Sequence, residues 1–118
     1  MVEKLSIYKD TYTLTNKIYN AMPQIAKSHR YLIGSKMIDS SLNLFKWITM
    51  ANKNRNKEER LKYLDCFLCE FELIRTYMRI CADNKFLKLS TITDIQILIS
   101  NISRQLSGWI SATTRMQQ

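Results

Sequence analysis

The chain has 118 residues, of which 46% are hydrophobic and 24% charged, a composition typical of globular rather than disordered proteins. With only two Gly and one Pro it lacks the turn residues of an all-β sandwich or barrel, so long helices with short connections are favoured. The 18 Lys and Arg against 10 Asp and Glu give a formal net charge of +8, which attracts polyanions.

The same sequence predicts one domain, 1–118, that resides in the cytoplasm. Its longest uncharged run, residues 105–114, is far shorter than the roughly 20 apolar residues of a membrane-spanning helix. The first ten residues contain no continuous apolar segment, so we expect no secretory signal. Three Cys without framework spacing are typical of reduced thiols.

The first predicted helix covers about 5–22 and ends before Pro23, because proline disfavours helical geometry in the residue before it. One face of this helix is predicted from residues at steps of four and three, namely Tyr8, Tyr12, Thr15, Tyr19 and Met22. The second helix is predicted over about 29–52, with Ser28 as its candidate N-cap. Its apolar positions are Ile33, Met37, Ile38, Leu42, Phe45 and Ile48, and the polar run 52–57 that follows is the clearest loop.

The third predicted helix, about 58–82, is apolar on two sides. One track of residues at helical spacing contains Leu61, Leu64, Phe67, Phe71, Ile74, Met78 and Cys81. A second track contains Cys66, Cys69, Leu73, Tyr77 and Ile80. A four-helix bundle needs one apolar face per helix, so the second track favours contact with another copy of the chain over a central position within one chain.

The fourth helix begins at Ser90 or Thr91, with Asp94 in its first turn, and runs to about Thr114. A heptad seam follows it, formed by Ile92, Ile95, Ile99, Ile102, Leu106, Trp109 and Thr113. We therefore predict an all-α protein, an antiparallel up-down-up-down four-helix bundle.

No catalytic or metal site is expected in this sequence. His29 is the only imidazole, which removes most acid–base constellations, and there is no phosphate-binding or dinucleotide-binding motif. The carboxylates Glu58, Glu59, Glu70 and Glu72 are interpreted as a solvated helix face rather than a di-metal site, because no Glu-x-x-His accompanies them. We expect no enzyme activity, no cofactor and no small-molecule substrate.

Cys66 and Cys69 match C-x-x-C, a spacing used in redox and zinc chemistry. The redox version follows a strand, whereas this pair lies within a predicted helix, and Cys81 is about 18 to 22 Å further along that helix. We interpret the pair as buried small hydrophobic residues.

The aromatic residues and the glycines also have a structural interpretation. Trp47, Trp109 and the six tyrosines could stack on bases, but their helical spacing favours the bundle core. Gly34 and Gly108 each cost a helix up to ~1 kcal/mol relative to Ala, which predicts close backbone contacts and makes Gly108 a packing point.

Basic residues are unevenly distributed. Residues 17–57 hold eight Lys and Arg against one acid, Asp39, and on the fourth helix Arg104 and Arg115 project away from the heptad seam. This imbalance favours a polyanion ligand over a purely solubilising role, with contacts to phosphates rather than to base edges. The candidate binding residues from this distribution are Lys27, Arg30, Lys36, Lys46, Arg104 and Arg115.

Two motifs in the second half of the chain, 74–80 (IRTYMRI) and 104–110 (RQLSGWI), resemble the accessory variability determinant proteins of diversity-generating retroelements. These proteins are related to the ribosomal-RNA intervening-sequence proteins. In the resemblance, Arg75 and Arg79 match the paired arginines of the third helix, and Arg104 matches the basic residue before the Trp motif. The loop 52–57 does not match closely, Ser107 and Gly108 reverse the family's small pair, and the C-terminal tail is shorter and less basic.

The resemblance implies a non-enzymatic, basic homopentamer with a central channel. It implies that the protein binds RNA or DNA largely without sequence specificity, binds the element's reverse transcriptase, and supports mutagenic retrohoming through error-prone cDNA synthesis at template adenines. The alternative function is a helical scaffold whose basic surface docks an acidic protein without binding nucleic acid. Neither function involves a membrane.

Overall fold

The computed structural model describes residues 2–117, which contain four long helices and no strand. Helix α1 spans Ser6–Ala21, helix α2 spans 27–53, helix α3 spans Lys57–Asp83 and helix α4 spans Leu89–Thr114. Within α2, an α-turn at Lys27–His29 and a π-helical segment at Arg30–Gly34 precede the regular helix Ser35–Lys53. The predicted all-α class and the four predicted helices are confirmed.

The four helices enclose one core. Helix α1 packs against α2 and α4, and helix α3 packs against the same two, a pattern compatible with the predicted up-down order. The largest fully buried side chains come from every helix and include Leu14, Met37, Phe67, Phe71 and Ile95. The molecule is elongated, with principal extents of 50 × 24 × 22 Å.

The predicted core faces of α3 and α4 are confirmed. The first α3 track is buried from Leu64 to Cys81, and the α4 seam is buried at Ile95, Ile99, Ile102, Leu106 and Thr113. The ends of that seam, Ile92 and Trp109, are partly buried against the same core. Each of these helices has a single stripe of large aliphatic and aromatic residues that its own chain covers.

The predicted core face of α1 is wrong. Its buried residues are Ile7, Thr11, Leu14, Ile18 and Ala21, whereas Tyr12 and Tyr19 are 58% and 60% exposed. Both sets repeat at steps of four and three, and they are about 100° apart on the helix. The interior set is smaller and mostly aliphatic, so it packs closely against the neighbouring helices, whereas the tyrosines at the surface keep their hydroxyl groups in water. Tyr31 is exposed too, while Tyr8, Trp47, Tyr63, Tyr77 and Trp109 are half-buried at the core margin.

Side chains from neighbouring segments satisfy several helix ends. The predicted N-cap Ser28 is not used, since α2 follows Ala26, and α4 begins at Leu89, one residue before the predicted Ser90 or Thr91; neither helix has a side-chain cap. Instead Gln24 Oε1 accepts a hydrogen bond from the backbone N–H of Lys88 at 2.9 Å, and Gln24 Nε2 donates to Thr91 Oγ1 at 2.9 Å. At the start of α3, Asn56 Oδ1 accepts from the Glu59 N–H at 3.1 Å.

Two arginines bind carbonyl groups in the turns at the two ends of α2. Arg30 donates from Nε to the Met22 carbonyl at 3.1 Å and from Nη2 to the Ile25 carbonyl at 3.0 Å. Arg60 Nε donates to the carbonyls of Ala51 and Asn54, both at 2.9 Å. Such charge-assisted bonds fix the turn before α2 and the turn after it.

The two glycines have different surroundings. A Cβ at Gly34 would lie 2.7 Å from Met22 Sδ, so this glycine permits a close approach, as predicted. A Cβ at Gly108 would meet no atom within 4 Å, and the residue is exposed. The prediction that Gly108 is a packing point is therefore wrong within the chain, because its face of α4 is turned away from the core.

We expect Gly108→Ala to raise the free energy of unfolding by about 0.5–1 kcal/mol, because alanine fits the helix and the site is open. Gly34→Ala gains the same helix propensity but displaces the buried Met22 side chain, so its stability should fall below that of Gly108→Ala. Urea unfolding at one protein concentration measures both changes. Equal effects of the two substitutions would contradict this account.

Arg30→Ala should lower the free energy of unfolding by about 1–3 kcal/mol, because two turn carbonyls lose a charged donor. Lys27→Ala, three residues earlier and exposed, is the matched control and should change stability by less than about 0.5 kcal/mol. Thermal and urea unfolding of the two variants make the comparison. If Arg30→Ala matched the control, the guanidinium would be free for another role.

Candidate functional site

Arg75 and Arg79 are exposed on α3, one helical turn apart. Arg75 Nε lies 4.0 Å from a Glu72 carboxylate oxygen, and the guanidinium carbon lies 6.0 Å from the centre of the Phe71 ring. Because the ion pair with Glu72 is solvent-exposed, it restrains Arg75 only weakly. Both guanidinium groups are therefore available to an external anion.

Arg104 and Arg115 lie on a second exposed face, on α4. Eleven residues are close to three helical turns, so the two arginines share this face. Arg104 Nη2 donates a hydrogen bond to Asn101 Oδ1. Gly108 and Ala112 lie exposed between the arginines. Their small side chains leave a shallow surface that a polyanion backbone can approach closely.

The remaining predicted residues lie on α2 and are not equivalent. Lys27 and Lys36 are exposed, whereas the guanidinium of Arg30 is bound to the carbonyls of Met22 and Ile25. Lys46 Nζ lies 4.9 Å from the centre of the Trp47 ring, in cation–π geometry. The eight predicted residues thus form pairs on α3 and α4 and a dispersed group on α2, not one cluster.

An aromatic pair between α2 and α3 extends the surface around Lys46. The rings of Trp47 and Tyr63 stack with centroids 6.4 Å apart at 21°, and Lys62 Nζ lies 5.2 Å from the Tyr63 centroid. Two lysines therefore flank two stacked rings. The sequence prediction assigned Tyr63 to the core and did not single out Lys62, because nothing in the chain order indicates that they lie beside Trp47.

The second apolar track of α3 lies outside the core. Leu73 and Ile80 are exposed, while Cys66 and Tyr77 are half-buried. A groove of about 330 Å³ runs along this track and is lined by Trp47, Asp65, Cys66, Cys69, Glu70 and Leu73. The alternative that α3 is central within one chain is therefore wrong, because its own chain covers only one of its two apolar tracks.

Two of the three cysteines also differ from the prediction. Cys69 is exposed and Cys66 half-buried, so the C-x-x-C pair is not a buried hydrophobic pair. Only Cys81 is buried, and this burial raises the pKa of its thiol to about 11. Both cysteines belong to the second apolar track of α3, which faces away from the core, and this is why the chain does not bury them as predicted.

A second apolar groove, of about 350 Å³, lies between α1 and α2. Its lining includes the exposed Tyr12, Tyr19 and Leu42 together with Ile38 and Phe45. The Phe45 ring meets Tyr8 and Tyr12 edge-on, with centroids 5.0 and 6.5 Å apart. Tyr12 and Tyr19, expected in the core of the bundle, thus line an outer surface.

Residues 2–117 contain no group of three or more His, Cys, Asp and Glu side chains arranged to hold a metal ion. None of the helices described by the structure combines the length and apolar character needed to span a membrane.

Comparison with known proteins identifies the family of this chain. No curated protein gives a significant match to the chain. A family model described as bAvd-like matches residues 5–113 and therefore covers all four helices except the last residue of α4. This range includes both motifs, with the arginine pair of α3 and Arg104 of α4. The chain therefore belongs to the bAvd-like family.

Proposed function

We propose that this protein is a non-enzymatic accessory subunit of a diversity-generating retroelement and acts in the cytoplasm. In this proposal it binds RNA or DNA and the element's reverse transcriptase, and so supports mutagenic cDNA synthesis and retrohoming. The chemistry belongs to the polymerase. The observation that carries the proposal is membership of the bAvd-like family over residues 5–113.

The charge distribution supports nucleic-acid binding. The protein carries a formal net charge of +8, and seven of the eight predicted basic residues are exposed. The arginine pairs of α3 and α4 face away from the core, where a phosphate backbone can reach them. Contacts of this kind depend on charge and give affinity without reading sequence.

The exposed apolar surfaces support assembly of several copies. One surface is the α1–α2 groove around Tyr12 and Tyr19, and the other is the α3 track around Leu73. Because the two surfaces differ, contact between them is head-to-tail, and such contacts form a ring where the rotation between neighbouring copies closes and a filament where it does not. We propose a homopentamer of antiparallel up-down bundles, whose five copies carry a formal charge of about +40.

Binding of random-sequence RNA should weaken steeply with salt. We expect the logarithm of the association constant to fall by several units per unit of log salt, since each neutralised phosphate contributes about −0.7 to −0.9 to the slope. Arg75→Glu/Arg79→Glu should bind at least about tenfold more weakly and show a smaller slope. Fluorescence anisotropy of labelled RNA over a salt series measures both.

The matched control for that experiment is Lys4→Glu/Lys9→Glu, which makes the same charge change at two exposed residues outside the predicted set. It should lower affinity less than the arginine variant. Equal losses would assign binding to net charge alone. Undetectable or salt-independent binding by the unmodified protein would favour the alternative function, a scaffold that docks an acidic protein.

Light scattering at micromolar concentration should give a mass of about 70 kDa, five times the 14.0 kDa of one chain. Leu73→Glu and Tyr19→Glu should each lower this mass, because a buried, unpaired carboxylate is strongly unfavourable at an apolar contact. Ile97→Glu, at an exposed apolar residue outside both surfaces, should leave the mass unchanged. A 14.0 kDa particle from the unmodified protein would overturn the ring.

A further inference from the structure

The turn between α1 and α2 lies against the turn between α3 and α4. The His29 ring stacks on Phe86 with centroids 4.4 Å apart at 22°. The hydrogen bonds of Gln24 to Lys88 and Thr91 join the same two segments. These contacts hold the two turns together at this end of the bundle, and the function proposed above makes no use of the turn between α3 and α4.

This end of the bundle carries the most exposed large hydrophobic side chain of the described residues. Leu89 is 78% exposed beside a groove of about 430 Å³, whose lining includes Ala82, Lys85, Leu87, Leu89 and Ile92. We refer to the groove beside Leu89 as the Leu89 surface.

Positive charge surrounds the Leu89 surface. Residues 27–36 and 82–91 contain three and two basic side chains respectively, and Asp83 is their only acid. Lys85 lines the groove, and Lys88, next to Leu89 in the chain, is exposed. Exposed leucines bordered by lysines are typical of an interaction site rather than of free surface.

We propose that the Leu89 surface docks an acidic amphipathic segment of another protein. Leucine-type side chains of that segment enter the groove beside Leu89, and its carboxylates meet Lys85 and Lys88. The groove is lined by aliphatic side chains, which offer no aromatic face on which a nucleic-acid base can stack. Charge complementarity therefore selects an acidic protein.

The test uses a labelled helical peptide with leucines on one face and glutamates on the other. Fluorescence anisotropy should show saturable binding to the full-length protein. Leu89→Ser should weaken this binding about tenfold or more, as expected when one buried leucine contact is lost. Ile97→Ser is the matched control, because Ile97 is also exposed on α4 but lies outside the groove lining. It should leave the affinity within about twofold of the unmodified protein.

Two further measurements separate charge from apolar contact. Lys85→Glu/Lys88→Glu should weaken peptide binding and reduce its dependence on salt. A peptide with lysines in place of its glutamates should bind at least about tenfold more weakly. Equal binding of the two peptides, or equal losses for Leu89→Ser and Ile97→Ser, would overturn the proposal, because either result indicates nonspecific apolar adhesion.

The same variants distinguish this proposal from the proposed function. Leu89→Ser should leave RNA affinity and assembly mass unchanged, and Arg75→Glu/Arg79→Glu should leave peptide affinity unchanged. Loss of RNA binding in Leu89→Ser would assign the surface to nucleic acid, and a lower mass would assign it to a contact between copies. Either outcome would overturn docking of an acidic protein segment.

Discussion

Burial of one aliphatic and aromatic stripe from each helix is the interaction on which the rest of this structure depends. Leu14 and Ile18 of α1 pack with Met37 and Leu44 of α2 and with the buried stripes of α3 and α4. Each stripe fixes the rotation of its helix and so determines what faces outward. The exposed tyrosines of α1, the second apolar track of α3 and the arginines of α3 and α4 are consequences of that choice.

The sequence predicted the core where a helix offered one dominant stripe of large residues. The seam of α4 and the first track of α3 are of this kind. Helix α1 offers two stripes with the same period, and tyrosines alone could not show which one the neighbouring helices would cover. The caps were missed for a related reason, since Gln24 reaches Lys88 and Thr91 more than 60 residues away in the chain.

In the candidate site, too, the sequence predicted features that depend on one helix and missed features that depend on contacts between helices. Exposure of Arg75 and Arg79 followed from their position outside the core stripe of α3, and the family match covers that segment. The excess of basic residues over residues 17–57 suggested Arg30 as a binding residue, but in the structure its guanidinium donates to two turn carbonyls. The stacked pair of Trp47 and Tyr63 belongs to two helices, so only the packing of α2 on α3 shows it. The spacing of residues along the chain thus predicted which of these side chains are exposed better than it predicted which groups they contact.

The π-helical segment Arg30–Gly34 has the geometry of a single extra residue accommodated within a helix. Deleting one residue there would convert the segment to regular α-helix and leave the residues on either side on their present faces, because the π-turn absorbs one residue. A deletion elsewhere near the start of α2, with no such turn to absorb it, would rotate that start by about 100° relative to the remainder of the helix. That rotation would carry His29 away from Phe86 and Arg30 away from its carbonyl partners. The π-helical segment is therefore the place in α2 where the chain can lose a residue during evolution with the least disturbance.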